Sequence, residues 1–115
     1  MTPTATITRD ELRDLIDTDA VTIVEALPPE YFNDAHIPGA INIPHTEVRD
    51  LAPELLPDKD AAMVVYCANL PCPNSEVAAK VLTKLGYTNV RRYPEGKDDW
   101  REAGLALERG APVAG

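Results

Sequence analysis

The chain has 115 residues and a formal net charge of −8. That length suits a single domain with its own core, and the acidic balance argues against nucleic acid or an anionic membrane as a partner. The apolar fraction of 44% and charged fraction of 26% are typical of a folded globular protein. No apolar run could cross a bilayer and no signal peptide is visible, so we expect a cytoplasmic protein with a single domain over residues 1–115 and a core at about 8–108.

The first half of the chain alternates helix and strand patterns. Thr8 and Glu11 form a capping box, and the apolar residues that follow at helical spacing predict a helix from about Arg9 to Ile16. Apolar runs and turn residues then predict, in chain order, a strand over Val21–Val24, a short helix from Pro28 to Phe32, a turn over His36–Gly39, a strand over Ala40–Ile43 and a helix capped by Thr46.

The second half begins with the strongest strand pattern, Ala62–Tyr66, which ends at Cys67. A loop with two prolines follows, and Asn74 or Ser75 is predicted to cap the next helix, which Gly86 ends. That helix has an apolar face made of Val77, Ala78, Val81, Leu82 and Leu85. A strand from Asn89 to Tyr93 and a helix from Lys97 to Ala103 complete the chain.

This order of elements predicts an α/β fold in three layers. We expect a mostly parallel central sheet of about five strands, four of which are placed above, with helices on both faces. In such sheets ligands bind at the carboxyl ends of the strands, which is where Cys67 is predicted to lie.

The environment predicted for Cys67 favours a reactive sulfur. The first N–H groups of a helix lack partners inside the helix and carry positive potential, so they stabilise a thiolate or a persulfide anion and lower the pKa of the thiol. The residues predicted to form this persulfide-binding loop are Ala68, Asn69, Leu70, Cys72, Asn74 and Ser75. The alternative is a buried, inert thiol at the end of a strand.

Three segments of the chain resemble the rhodanese superfamily. They are Asp34–Pro44, with the sequence DAHIPGAINIP, then MVVYC followed by SEVAA, and YPEGKDDWREAGL toward the C-terminus. The resemblance covers nearly the whole chain and implies a sulfurtransferase without a cofactor. It implies that Cys67 is the catalytic residue, which takes a sulfane sulfur from a donor, holds it as a persulfide and passes it to a thiol- or cyanide-type acceptor.

The sequence departs from the pattern of that family in four places. The loop between Cys67 and Ser75 is longer than usual, Asn74 replaces an arginine, the segment Glu25–Leu27 lacks a second arginine, and Ala35 replaces a glycine. Without these arginines thiosulfate, a dianion, is disfavoured as the donor. An organic persulfide fits better as the donor, and a partner protein thiol is another expected partner.

Cys72 allows a second chemistry. It is either a resolving thiol that forms a reversible disulfide with Cys67, or an exposed loop residue. The two histidines do not indicate a metal site, because no third ligand lies nearby. The resemblance implies that His36 hydrogen-bonds backbone in its turn, and His45 is expected to face solvent.

Four functional classes therefore stay open. They are a sulfurtransferase, a binding or regulatory module that has lost turnover, a thiol redox protein that uses Cys67 and Cys72, and an oxyanion enzyme of the same fold. The last is disfavoured, because such an enzyme needs an arginine at the end of the cysteine loop to hold the anion.

Overall fold

A computed structural model describes residues 5–18, 20–69 and 72–110. The helices and strands follow the predicted order, with one additional strand at the start. In chain order they are β1 (Ala5–Thr6), α1 (Arg9–Asp17), β2 (Thr22–Glu25), α2 (Pro29–Asp34), β3 (Ile41–Asn42), α3 (Val48–Leu55), β4 (Met63–Tyr66), α4 (Asn74–Lys84), β5 (Val90–Tyr93) and α5 (Gly96–Glu102).

The strands form one parallel sheet in the order β1-β5-β4-β2-β3. Strand β4 lies at its centre, where Val65 pairs with Val24 of β2 on one side and with Arg92 of β5 on the other. All four residues of β4 are buried, which explains why this segment reads as a continuous apolar run. The five-stranded α/β fold predicted from the sequence is confirmed.

Each face of the sheet carries its own hydrophobic core. Side chains alternate along β4, so Met63 and Val65 contact α3 and α4, whereas Val64 and Tyr66 lie on the side of α1, α2 and α5. Trp100 of α5 belongs to the second core and is 5% exposed. By the same alternation Cys67, which follows Tyr66, points toward α4.

The structure confirms some of the predicted helix ends and corrects others. Both hydrogen bonds of the capping box between Thr8 and Glu11 are present, and Gly86 follows α4 with a φ of 100°. The residue that caps α3 is Glu47, not Thr46, and it makes no side-chain capping bond. Pro73 caps α4, so that neither Asn74 nor Ser75 is the capping residue, and both lie within the helix.

Two further details differ from the prediction. Strand β1 is absent from the sequence prediction, because two residues are too few to show an alternating pattern. Val77 was assigned to the apolar face of α4, yet it is 41% exposed, while the adjacent Ala78 is buried. Within the described residues, no helix is long and apolar enough to span a membrane.

Candidate active site

Cys67 follows the last residue of β4, at the carboxyl edge of the sheet, and is 1% exposed. Its Sγ donates a hydrogen bond to the backbone carbonyl of Cys72, at 3.3 Å. The loop therefore folds back over the sulfur. Both cysteines are free thiols.

The pKa of the Cys67 thiol is raised, whereas the sequence predicted that it would be lowered. Burial raises this pKa, and the hydrogen bond to Cys72 raises it further because it favours the protonated form. The hydroxyl and the backbone N–H of Ser75 face the sulfur as donors and oppose the rise. The predicted lowering was wrong because it considered the start of α4 without the desolvation of a buried sulfur.

The structure brings only part of the predicted loop to the sulfur. The carbonyl of Cys72 contacts the sulfur, and Ser75, which is buried, lowers the pKa of Cys67 through its hydroxyl and its backbone N–H. Asn69 turns its side-chain amide to Asp98 Oδ2, at 3.3 Å, and its carbonyl accepts the N–H of Cys72. Asn74 is the first residue of α4, and Leu70 lies outside the described residues.

Helix α5 holds the start of this loop from the other side. The backbone N–H of Lys97 donates to the Cys67 carbonyl at 2.9 Å, and that of Asp98 donates to the Ala68 carbonyl at 2.8 Å. Gly96 makes this approach possible, because a Cβ there would lie 2.5 Å from the Cys67 oxygen. Gly96 also has a φ of 70°, in the left-handed region that favours glycine.

A buried ion pair joins α5 to the end of β2. Lys97 Nζ is 3.2 Å from both carboxylate oxygens of Glu25 and also donates to the carbonyls of Tyr31 and Ala35. The Tyr66 hydroxyl donates to Glu25 Oε1 at 2.7 Å. Burial raises the pKa of Glu25, although Tyr66 and Lys97 both favour its ionised form. Nothing in the sequence marks Lys97, because it lies among other charged residues, Glu95, Asp98 and Asp99.

A second residue that sequence reasoning missed is Arg92 of β5. Its Nε donates to Ser75 Oγ, at 3.3 Å. The loop itself contains no basic residue, but the fold brings one to its far end from a neighbouring strand.

The two histidines lie in different environments. His36 is buried, stacks on Phe32 and shares a hydrogen bond of 2.8 Å with the Phe32 carbonyl, so its structural role is confirmed. The prediction that His45 faces solvent was wrong, because this residue is half-buried and its Nδ1 is shielded without a hydrogen-bond partner. Across the ranges that the structure describes, no three His, Cys, Asp or Glu residues are grouped as metal ligands would be.

The chain is thus a parallel α/β protein in which a buried cysteine lies between the central strand and the start of a helix. The rhodanese-like domain model matches residues 8–103, and the chain belongs to that family.

Several known proteins are similar to this chain. The HTH-type transcriptional regulator Rv0324 of Mycobacterium tuberculosis is 40% identical over 111 residues, which are 96% of this chain and 48% of that protein. This chain therefore spans about half the length of that relative. The thiosulfate sulfurtransferase PspE of Escherichia coli is 35% identical over 65% of this chain and 70% of its own length.

The fold is similar to that of a crystal structure of a thiosulfate sulfurtransferase from Pseudomonas aeruginosa. The TM-score is 0.80 at 26% identity, over 93% of this chain and 20% of that one.

Proposed function

We propose that this chain is a sulfurtransferase that carries a sulfane sulfur as a persulfide on Cys67. The observation that carries the proposal is the position of the sulfur, which follows the central strand and precedes the first turn of α4, where Ser75 lies buried. The names of the relatives from E. coli and P. aeruginosa support a sulfur-transfer activity. The cytoplasm, where thiols stay reduced, is the proposed location.

The reaction needs no cofactor in this proposal. The Cys67 thiolate attacks the outer sulfur of an organic persulfide, the S–S bond of the donor breaks, and the donor leaves as a thiolate. A thiol or cyanide acceptor then attacks the outer sulfur on Cys67 and returns the thiolate. Because the loop has no arginine, we propose an organic persulfide or a partner protein as the donor in preference to thiosulfate.

A second candidate function uses Cys72. The Sγ of Cys67 and the carbonyl of Cys72 are in contact at 3.3 Å, so the two cysteines lie close together in the folded loop. The Cys72 thiolate would attack the inner sulfur of the persulfide, form the Cys67–Cys72 disulfide and release hydrosulfide. This step uses the sulfane sulfur as the oxidant and requires no other.

The test is to mix reduced protein with glutathione persulfide, or with thiosulfate, and to measure intact mass and transfer to cyanide. We expect Cys67 to gain one sulfur atom and to lose it to cyanide, and Cys67→Ser to abolish both. Cys72→Ser is the matched control and should change the rate without abolishing transfer.

The mass spectrum also separates the alternatives. Loss of two hydrogens from the protein with release of hydrosulfide would favour the redox pair. Persulfide transfer that survives in Cys67→Ser would exclude the proposal, and the absence of any loading would favour a binding module.

A further inference from the structure

The side chain of Arg92 lies on the same face of the sheet as Cys67. Arg92 pairs with Val65 of β4, and Val65 packs toward α4. Because side chains alternate along a strand, Cys67, two residues after Val65, points toward that same face. Arg91, the preceding residue, points to the opposite face.

Ser75 connects the two residues. It is 1% exposed and lies in the first turn of α4, and its Oγ accepts a hydrogen bond from Arg92 Nε at 3.3 Å. A serine hydroxyl has one proton and two lone pairs. Once a lone pair is held by the guanidinium, the proton is directed away from Arg92, and the same hydroxyl lowers the pKa of Cys67, as a donor to a sulfur anion does.

We propose that Arg92 is a positioning residue for the sulfur anion on Cys67, which it stabilises by orienting and polarising the Ser75 hydroxyl. The inference rests on the proposed function for the persulfide, but it applies equally to the thiolate of the resting protein. A charged donor strengthens the hydroxyl as a donor in turn, because hydrogen bonds in a chain polarise one another.

The other charged groups around the loop are already engaged. Glu76 of α4 pairs with Lys80, and Asp98 of α5 contacts Asn69 and Arg101. Lys97 directs its ammonium to Glu25, and the neighbouring Cys72 raises the pKa of Cys67. Among the residues that the structure describes, Arg92 is thus the cation with a hydrogen-bonded route to the sulfur.

The test compares Arg92→Met, Arg92→Lys and Arg91→Met in a Cys72→Ser background. Arg91→Met is the matched control, because it removes an arginine from the same strand on the other face. The rate of Cys67 alkylation by iodoacetamide is measured between about pH 6 and pH 10, together with unfolding in urea.

We expect Arg92→Met to slow alkylation about three- to tenfold near neutral pH and to shift its profile to higher pH. Arg92→Lys should recover part of the rate, and Arg91→Met should leave the profile unchanged. A role through Ser75 also requires that Arg92→Met has no further effect on the profile in a Ser75→Ala background.

An unchanged profile in folded Arg92→Met overturns the inference, as does an equal shift in Arg91→Met. Alkylation needs no sulfur donor, so its outcome is independent of the proposed function. A protein that shows the expected profiles but never acquires a sulfur retains the positioning role of Arg92 and loses only the sulfurtransferase activity.

Discussion

At the scale of a single residue, Cys67 is held between two opposing hydrogen-bonding environments. Its Sγ donates to the Cys72 carbonyl, an arrangement that only the protonated thiol can make. Ser75 acts in the opposite sense, because its hydroxyl and N–H favour the anion and lower the pKa of Cys67. The protein thus favours the protonated thiol of Cys67 at rest, and Ser75 stabilises the anion when it forms.

This balance predicts how the reactivity of Cys67 depends on pH. Burial raises the pKa of Cys67 above its ordinary value, so the thiolate fraction is small at neutral pH and grows as the pH rises. In Cys72→Ser, alkylation should accelerate about tenfold per pH unit through neutrality, with a plateau only in the alkaline range. A plateau that is already reached below neutral pH would contradict a raised pKa.

At the scale of the elements, α5 sets the position of the Cys67 loop. The backbone of its first turn donates to the carbonyls of Cys67 and Ala68, and the approach is close enough to exclude a side chain at Gly96. Gly96 also has a φ of 70°, in the left-handed region. The geometry of the active site thus depends on a helix that contributes no side chain to the sulfur.

Gly96→Ala should therefore damage both stability and sulfur transfer. Its Cβ would lie 2.5 Å from the Cys67 carbonyl oxygen and 2.9 Å from the Ala68 carbonyl carbon, so the loop must shift. Gly104→Ala is the control, because Gly104 has a φ of 77° but open space around its Cβ. The left-handed strain alone costs about 1–2 kcal/mol.

The measurements for this pair are the free energy of unfolding in urea and the rate of transfer to cyanide. Gly104→Ala should lose only the strain energy and keep its transfer rate, whereas Gly96→Ala should lose more stability and most of its transfer. Equal effects of the two substitutions would mean that the contact of α5 with the loop is unimportant.

The sequence predicted the elements with strong local signals. The capping box at Thr8 set the start of α1, and the apolar run before Cys67 set β4. The features that the sequence missed or predicted wrongly depend on packing between distant residues, which a local sequence pattern does not show. The bond from Arg92 to Ser75 joins residues 17 positions apart and requires β5 to lie beside β4. Likewise, the pKa of Cys67 was predicted in the wrong direction because burial was unknown.

At the scale of the whole molecule, one buried ion pair joins separate parts of the fold. Glu25 ends β2, and Lys97 of α5 bonds to it and to the carbonyls of Tyr31 and Ala35 at α2. Glu25 is fully buried and Lys97 is 5% exposed. The pair therefore fixes α2 and α5 against the end of the sheet, on the face opposite to the one toward which Cys67 points.

Removal of one partner should cost far more than removal of both. Glu25→Ala leaves the ammonium of Lys97 buried without its carboxylate, and we expect a loss of about 3–5 kcal/mol in the free energy of unfolding. Glu76→Ala breaks an exposed pair with Lys80 at a similar distance, 3.2 Å, and should cost about 0–1 kcal/mol. Urea unfolding measures both.

The double substitution Glu25→Leu with Lys97→Met measures the net contribution of the ion pair to the free energy of unfolding. Because it removes both charges and keeps the volume apolar, stability should return to within about 1–2 kcal/mol of the original, or exceed it. Transfer to cyanide should recover less fully, since the Tyr66 hydroxyl and the Ala35 carbonyl then lose partners that hold α2 and α5 against the end of the sheet. If the double variant is as unstable as Glu25→Ala, the cost arises from lost packing and not from an unpaired buried charge.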